Sequence, residues 1–141
     1  MRDIEFRAKD YKGKWVYGNL LVIEDECFII TVSRSDWKKI KLEKIEINHD
    51  TVGQYTGLKD KNGTKIFEGD IVKNSNGQLY TIRYICGGFD CEPIKEFYKA
   101  FKITWNTLGE IQNASWCESN CEVIGNIYDN PELLKENEDE L

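Results

Sequence analysis

Apolar and polar positions alternate along this chain in short runs with a period near two. Ile4, Phe6 and Ala8 alternate with Glu5, Arg7 and Lys9, and Tyr80, Ile82 and Tyr84 alternate with Thr81 and Arg83. Phe101, Ile103 and Trp105 alternate with Lys102 and Thr104 in the same way. Such runs predict strands with one buried and one wet face. Residues 15–23 and 27–32 are apolar on both phases and are separated by Glu24-Asp25-Glu26, which predicts a hairpin buried more fully than the rest. Turn pairs punctuate the chain at Lys12-Gly13, Asn62-Gly63, Ser75-Asn76-Gly77, Gly87-Gly88 and Leu108-Gly109. Many short strands between frequent turns predict an all-β architecture, a small barrel.

Two segments interrupt the pattern. Ile94, Phe97, Tyr98 and Phe101 fall at helical spacing after Pro93, yet they overlap the alternating run that ends at Trp105. A short helix or turn over residues 92–98, followed by a strand, satisfies both patterns. At the C-terminus Asn130-Pro131-Glu132 predicts a helical start, with Asn130 as cap and Leu133 and Leu134 packing the turn down.

Composition changes the picture in three respects. With 141 residues, 40% of them hydrophobic, the chain has enough for one compact domain and can build a core without disulfide or metal. The formal charge of −6 is concentrated at the end, where residues 129–141 hold six acids against Lys135. The rest is nearly neutral, which argues against a strongly basic nucleic-acid binder. A single domain over residues 1–134 and a disordered acidic tail over 135–141 are therefore expected. Finally, the N-terminus lacks the apolar stretch of a signal peptide, and no run approaches the roughly 20 residues that span a bilayer. Five cysteines without an export signal are expected as free thiols in a reducing cytoplasm.

Three segments carry a resemblance. They are residues 4–10 (Ile4-Glu5-Phe6-Arg7-Ala8-Lys9-Asp10), residues 51–63 running into Ile66-Phe67-Glu68-Gly69-Asp70-Ile71-Val72, and residues 121–134. In order and spacing the chain resembles the YopX family of small phage and prophage proteins, which has no agreed biochemical activity. The resemblance implies a mobile-element origin in a bacterium, hence a bacterial host cytoplasm, and an all-β fold with an SH3-like barrel. The barrel part is expected over about residues 64–130, with an N-terminal β-hairpin extension and a short C-terminal helical turn. Glu68-Gly69-Asp70 fits such a barrel, because Gly69 can take a positive φ and Asp70 can bond the local backbone. Residues 74–120 match no family pattern.

Candidate chemistry is sparse. Cys86-x4-Cys91 and Cys117-x3-Cys121 are two thiol pairs about 30 residues apart that could enclose zinc, although the gaps are looser than those of ordinary knuckles. His49, the only histidine, lies beside Asp50 in a polar stretch that reads as a loop. No nucleophile elbow, phosphate loop or carboxylate pair accompanies it. Lys38, Lys39, Lys41 and Lys44 next to Trp37 form a basic run with an aromatic, which suits phosphate and base contacts. Glu43 and Glu46 interrupt that run, and lysines also guard strand edges. The expectation is a non-enzymatic protein with no cofactor, no metal and no catalytic residue. It would act by binding a protein partner or a second copy of itself, its seven tyrosines and four tryptophans supplying anchors. A nucleic-acid module using Lys38–Lys44 is the first alternative, and an enzyme with a Cys/His site the second.

Overall fold

The computed structural model describes residues 3–94, 112–113 and 117–134. These form eleven strands, all in antiparallel pairs, with only single helical turns between them. The chain divides into two compact units, Met1–Tyr55 and Thr56–Leu141, the division falling inside one strand.

The first unit contains β1 (Phe6–Lys9), β2 (Trp15–Ile23), β3 (Glu26–Arg34), β4 (Ile40–Glu46) and the start of β5 (Gly53–Lys59). They run side by side in the order β4-β3-β2-β1-β5, so β4 is the outer strand. The apolar hairpin expected over residues 15–32 is β2 and β3, paired from Asn19↔Ile30 to Ile23↔Glu26. Strand β2 changes partner at Gly18: residues up to Gly18 pair with β1 and those after it with β3. Only glycine fits this position, because a Cβ would collide with the Ile30 carbonyl. Ala8, Val16, Ile29 and Ile47 form the core of this unit, flanked by Phe6, Leu20, Cys27, Ile45 and Val52.

The second unit contains the rest of β5, β6 (Lys65–Phe67), β7 (Asp70–Asn74), β8 (Leu79–Ile85), β9 (Gly88–Pro93), β10 (Gln112–Asn113) and β11 (Cys121–Asn126). Five of them make a sheet ordered β10-β9-β8-β7-β11. Its core gathers Ile66, Val72, Tyr80, Ile82, Cys91, Cys117 and Cys121.

The all-β expectation holds, but among the described residues no sheet closes into a barrel. β10 pairs with β9 and β11 with β7, so the two ends of the five-stranded sheet do not pair with each other. The helix or turn expected from Glu92 gives way at its start to strand. Glu92 and Pro93 end β9, opposite Thr81 and Tyr80, and a proline at the last position interrupts no further ladder bond. The remainder of that segment, the strand expected at Phe101–Trp105 and the acidic tail lie outside the described residues. The C-terminal helical turn is present as a 3-10 turn, Pro131–Leu134, with Leu133 N–H donating to the Asn130 carbonyl. Leu133 and Leu134 are only half-buried.

Three hairpins share one turn, and that turn explains where the chain reverses. In Asp10–Lys14, Asp60–Thr64 and Asn74–Gln78 the first side chain accepts from the backbone N–H groups two and four residues on, at 2.8–2.9 Å. The fourth residue is glycine at φ +83°, +84° and +85°. Its own N–H donates to the carbonyl of the first residue. An Asx side chain at the start and a left-handed glycine at the fourth position thus replace the missing ladder bonds.

Candidate functional site

The thiol pairs are the natural place to look for chemistry. Cys91 at the centre of β9, Cys117 at the start of a single helical turn (Cys117–Asn120) and Cys121 at the start of β11 converge in the second unit's core, all fully buried. The sulfurs of Cys91 and Cys117 lie 2.6 Å apart. The hydrogen bond shared with Cys91, together with burial, pushes the Cys117 thiol far up. Burial and the neighbouring Cys117 push Cys121 up to about 12. Burial, with the three thiols beside it, also raises the Tyr80 phenol. The nucleophile and metal ligand is the thiolate, and this pocket opposes it. Cys86 does not join them: it is exposed in the β8–β9 turn at φ +52°. Among the described residues no group of three or more His, Cys, Asp and Glu could hold a metal.

His49 opens a 3-10 turn, His49–Thr51, capped by the Asn48 side chain, which accepts from Asp50 N–H. Its Nε2 lies 3.2 Å from Asp50 Oδ1, but the side chains are 72% and 78% exposed. The buried member of the turn is Thr51, which accepts from Lys9 N–H at 2.8 Å and donates to the Asn48 carbonyl. This turn is built around Thr51, and the His49–Asp50 pair stands in water outside it. Glu68-Gly69-Asp70 forms the expected tight turn, with Gly69 at φ +92° and Asp70 accepting from Phe67 N–H at 2.7 Å. Asp70 is buried, so it serves the turn and does not line a groove.

The remaining candidate is the face of β2, β3 and β4. Register fixes which side chains share it. Val32 stands opposite Leu42, Arg34 opposite Ile40, Ile30 opposite Lys44 and Phe28 opposite Glu46. Leu21 lies beside Phe28 on β2. The opposite face of the same strands carries Ile29 and Ile45, which belong to the core, together with exposed Val22, Ser33, Lys41 and Glu43. On the outer face Phe28 is buried, whereas Val32 is 54% exposed, Ile40 54% and Leu42 65%, with Ile23 and Tyr17 also exposed. Trp37, in the β3–β4 connection, is 79% exposed. Scattered exposed apolar residues are ordinary, and Val32, Ile40 and Leu42 differ from that in being neighbours on a single sheet face.

The same register divides the basic run. Alternation sends Lys41 and Glu43, both exposed, to the face of β4 that carries Ile45, and Ile40, Leu42, Lys44 and Glu46 to the outer side. The Lys44 ammonium sits 4.5 Å over the Phe28 ring and the Lys38 ammonium 4.6 Å over the Trp37 ring. Asp36 ties down the backbone of Lys38 and Lys39 through 2.7 and 2.9 Å bonds. The lysines therefore do not line up on one face, and the indole already carries an ammonium of its own chain.

Sequence reasoning found the lysines and Trp37 but passed over Val32, Ile40 and Leu42. A signal was present. The apolar phase in Ile40-Lys41-Leu42-Glu43-Lys44-Ile45-Glu46-Ile47 shifts between Leu42 and Ile45, so both faces of the strand carry apolar residues while only one faces the core.

Comparison with known proteins places the chain as follows. The family model described as YopX protein matches residues 5–135, and so runs through residues 74–120, where the sequence alone shows no family pattern. No curated protein matches. The solved structure titled "Crystal structure of protein EF1440 from Enterococcus faecalis" is similar with a TM-score of 0.58 at 24% identity, covering 95% of this chain and 99% of that one. At that identity the likeness speaks to the fold. No helix among the described residues is long and apolar enough to cross a membrane.

Proposed function

Because the chain belongs to the YopX family, we propose that it is a non-enzymatic accessory protein of a phage or prophage, working in the host cytoplasm by binding another protein through the outer face of β2, β3 and β4. The observation that carries this reading is the exposure of Val32, Ile40 and Leu42 as neighbours on one face of β3 and β4. Water contact costs about 25 cal/mol for each Å² of such surface, and a partner relieves that cost. Exposed Trp37, in the β3–β4 connection, and Tyr17, on β2, suit interface anchors. The thiols support a role without catalysis, since burial and mutual contact keep Cys117 and Cys121 protonated near neutral pH.

Trp37 beside Lys38 and Lys39 favours nucleic acid as the second reading, and salt separates the two. A protein touching several phosphates loses about three to five orders of magnitude in affinity between roughly 50 and 200 mM salt. A tagged wild-type chain and the Val32→Asp/Leu42→Asp variant are recovered from induced host cells at both salt concentrations. Fluorescence anisotropy with a mixed-sequence oligonucleotide is recorded in parallel. A protein retained by the wild type at both salts and lost on the variant, with no oligonucleotide bound, supports the reading. Salt-sensitive oligonucleotide binding that disappears in Lys38→Glu/Lys39→Glu/Lys41→Glu transfers the function to nucleic acid.

A further inference from the structure

Strand β4 ends the first unit's run of strands, so one of its two edges is unpaired among the described residues. Which backbone groups face that edge follows from the register. Ile47 N–H donates to the Cys27 carbonyl, and Phe28 stands opposite Glu46. In an antiparallel ladder bonded and non-bonded pairs alternate. The odd residues of β4 therefore bond to β3, and Ile40, Leu42, Lys44 and Glu46 turn their N–H and C=O groups outward. An edge of this length with outward-facing donors and acceptors is a template for another strand.

The charges on β4 select the occupant. A second copy, related by a two-fold axis, must bring even residues against even residues for the outward groups to meet. If the axis passes at Leu42, Leu42 meets Leu42 of the second copy as a bonded pair, and Ile40 meets Lys44. The intervening non-bonded pairs are then Lys41 with Glu43 and Glu43 with Lys41. These are the closer positions in such a ladder, where opposite charges attract most strongly. Every other two-fold register fails by a like-charge contact or by length. Centring at Lys41 or Lys44 sets lysine against lysine, and centring at Glu43 sets glutamate against glutamate. Centring at Ile40 brings Lys39 against Lys41. Centring at Ile45 joins only residues 44–46, because Ile47 is already bridged to Asp10. Like charges or lack of length thus close every register but one.

Resting on the binding reading above, and naming its partner, we propose that β4 pairs with β4 of a second copy about a two-fold axis at Leu42, held in register by two Lys41–Glu43 ion pairs. The pairing extends the exposed apolar strip across the axis, so that Val32 and Leu42 of one copy continue into Leu42 and Val32 of the other. It is an isologous interface of the commonest kind.

Charge exchange tests it, read by sedimentation velocity over a concentration series. Lys41→Glu alone sets a new glutamate against Glu43 of the second copy, and Glu43→Lys alone sets a new lysine against Lys41. Each is expected to weaken self-association roughly tenfold or more. The double variant Lys41→Glu/Glu43→Lys restores both pairs and is expected to regain the wild-type constant. A one-to-one mixture of the two single variants is expected to form a mixed dimer that neither forms alone. Both positions are exposed, and circular dichroism confirms that each variant keeps its strands. Singles that associate like the wild type, or a double variant and mixture that stay monomeric, overturn the proposal. A wild type that remains monomeric throughout also overturns it, but leaves the binding reading to its own test with host partners. Dimers abolished by Leu42→Asp yet indifferent to the charge exchange overturn the edge pairing alone and keep the face as the binding surface.

Discussion

Asp60, Asp70, Asn74 and Asn126 of the second unit are polar and buried, whereas Val32, Ile40 and Leu42 of the first unit are apolar and exposed. The buried polar groups have their bonds. Asp60 accepts from Asn62, Thr64 and Val123 N–H groups, and Asn126 accepts from Tyr128 and Asp129 N–H groups. Each ties a loop to the strands beside it, so burial there is compensated. The exposed apolar groups have no such compensation within the described residues. Polarity out of place with its bonds made is architecture; apolar surface out of place is what the proposed partner would cover.

Breaking the core should have the largest effect. Ile82→Ala in β8 is expected to cost about 2–5 kcal/mol in denaturant unfolding, since the side chain is fully buried beside Val72 and Cys91. Leu42→Ala, with a side chain of the same size, should change stability by no more than about 0.5 kcal/mol. Equal losses at the two sites would erase the distinction between core and open face.

Asp60→Ala should come next, at about 1–3 kcal/mol, because it strands buried donors. Burial alone would raise the Asp60 carboxyl, but the N–H groups of Val123, Thr64 and Asn62 together outweigh burial and hold it below the ordinary 3.8. A folded value below the unfolded one contributes stability that is present above the ordinary carboxylate range and is lost as pH falls through the lowered value. Asp60→Asn keeps acceptor oxygen but cannot titrate, so its acid unfolding curve should be flatter than that of the wild type. An unchanged acid limb would remove Asp60 from its place as the loop's anchor.

Smaller effects concern reactivity. In native protein at pH 8 Cys86 should be alkylated first, and Cys91, Cys117 and Cys121 only as the protein unfolds, followed by mass spectrometry of the labelled peptides. The raised Cys117 and Cys121 thiols stabilise the fold below the ordinary thiol value of 9.0. That contribution is lost as pH rises above it toward the folded values. Labelling of Cys117 in the native state would contradict a closed thiol core. At the bottom of the scale, His49→Ala should leave the thermal midpoint essentially unchanged, because the His49–Asp50 pair is held in water.

How far the sequence speaks depends on which level of structure carries the information. Turns were legible because glycine at positive φ leaves a local mark, as at Gly13, Gly63 and Gly77. The Asx residue three positions before each was equally local and equally readable, at Asp10, Asp60 and Asn74. The family resemblance follows the same chemistry. Its segments contain Asp10, Asp60, Gly63, Gly69, Asp70, Gly125, Asn126 and Asn130, and most of these shape loops. Gly125, for one, leaves no room for a Cβ against the Asn130 side chain. Such residues carry the fold and say little of a ligand. The open face was harder to read, because exposure of Leu42 depends on which strands lie beside β4, a long-range fact. Convergence of Cys91, Cys117 and Cys121, and the departure of Cys86 from them, is long-range for the same reason. Barrel closure is not seen among the described residues, and alternation could not have settled it, because it reports a strand's two faces and is silent on whether the end strands of a sheet meet.

The most direct test of the binding face is amide hydrogen exchange of the wild-type protein at low and high concentration. Association through β4 should slow exchange at Ile40, Leu42 and Lys44, whose N–H groups turn outward, while the amides of β7 and β8 stay as they were. Exchange at these three positions that is fast and independent of concentration, or protection that instead arises in the second unit, would contradict it.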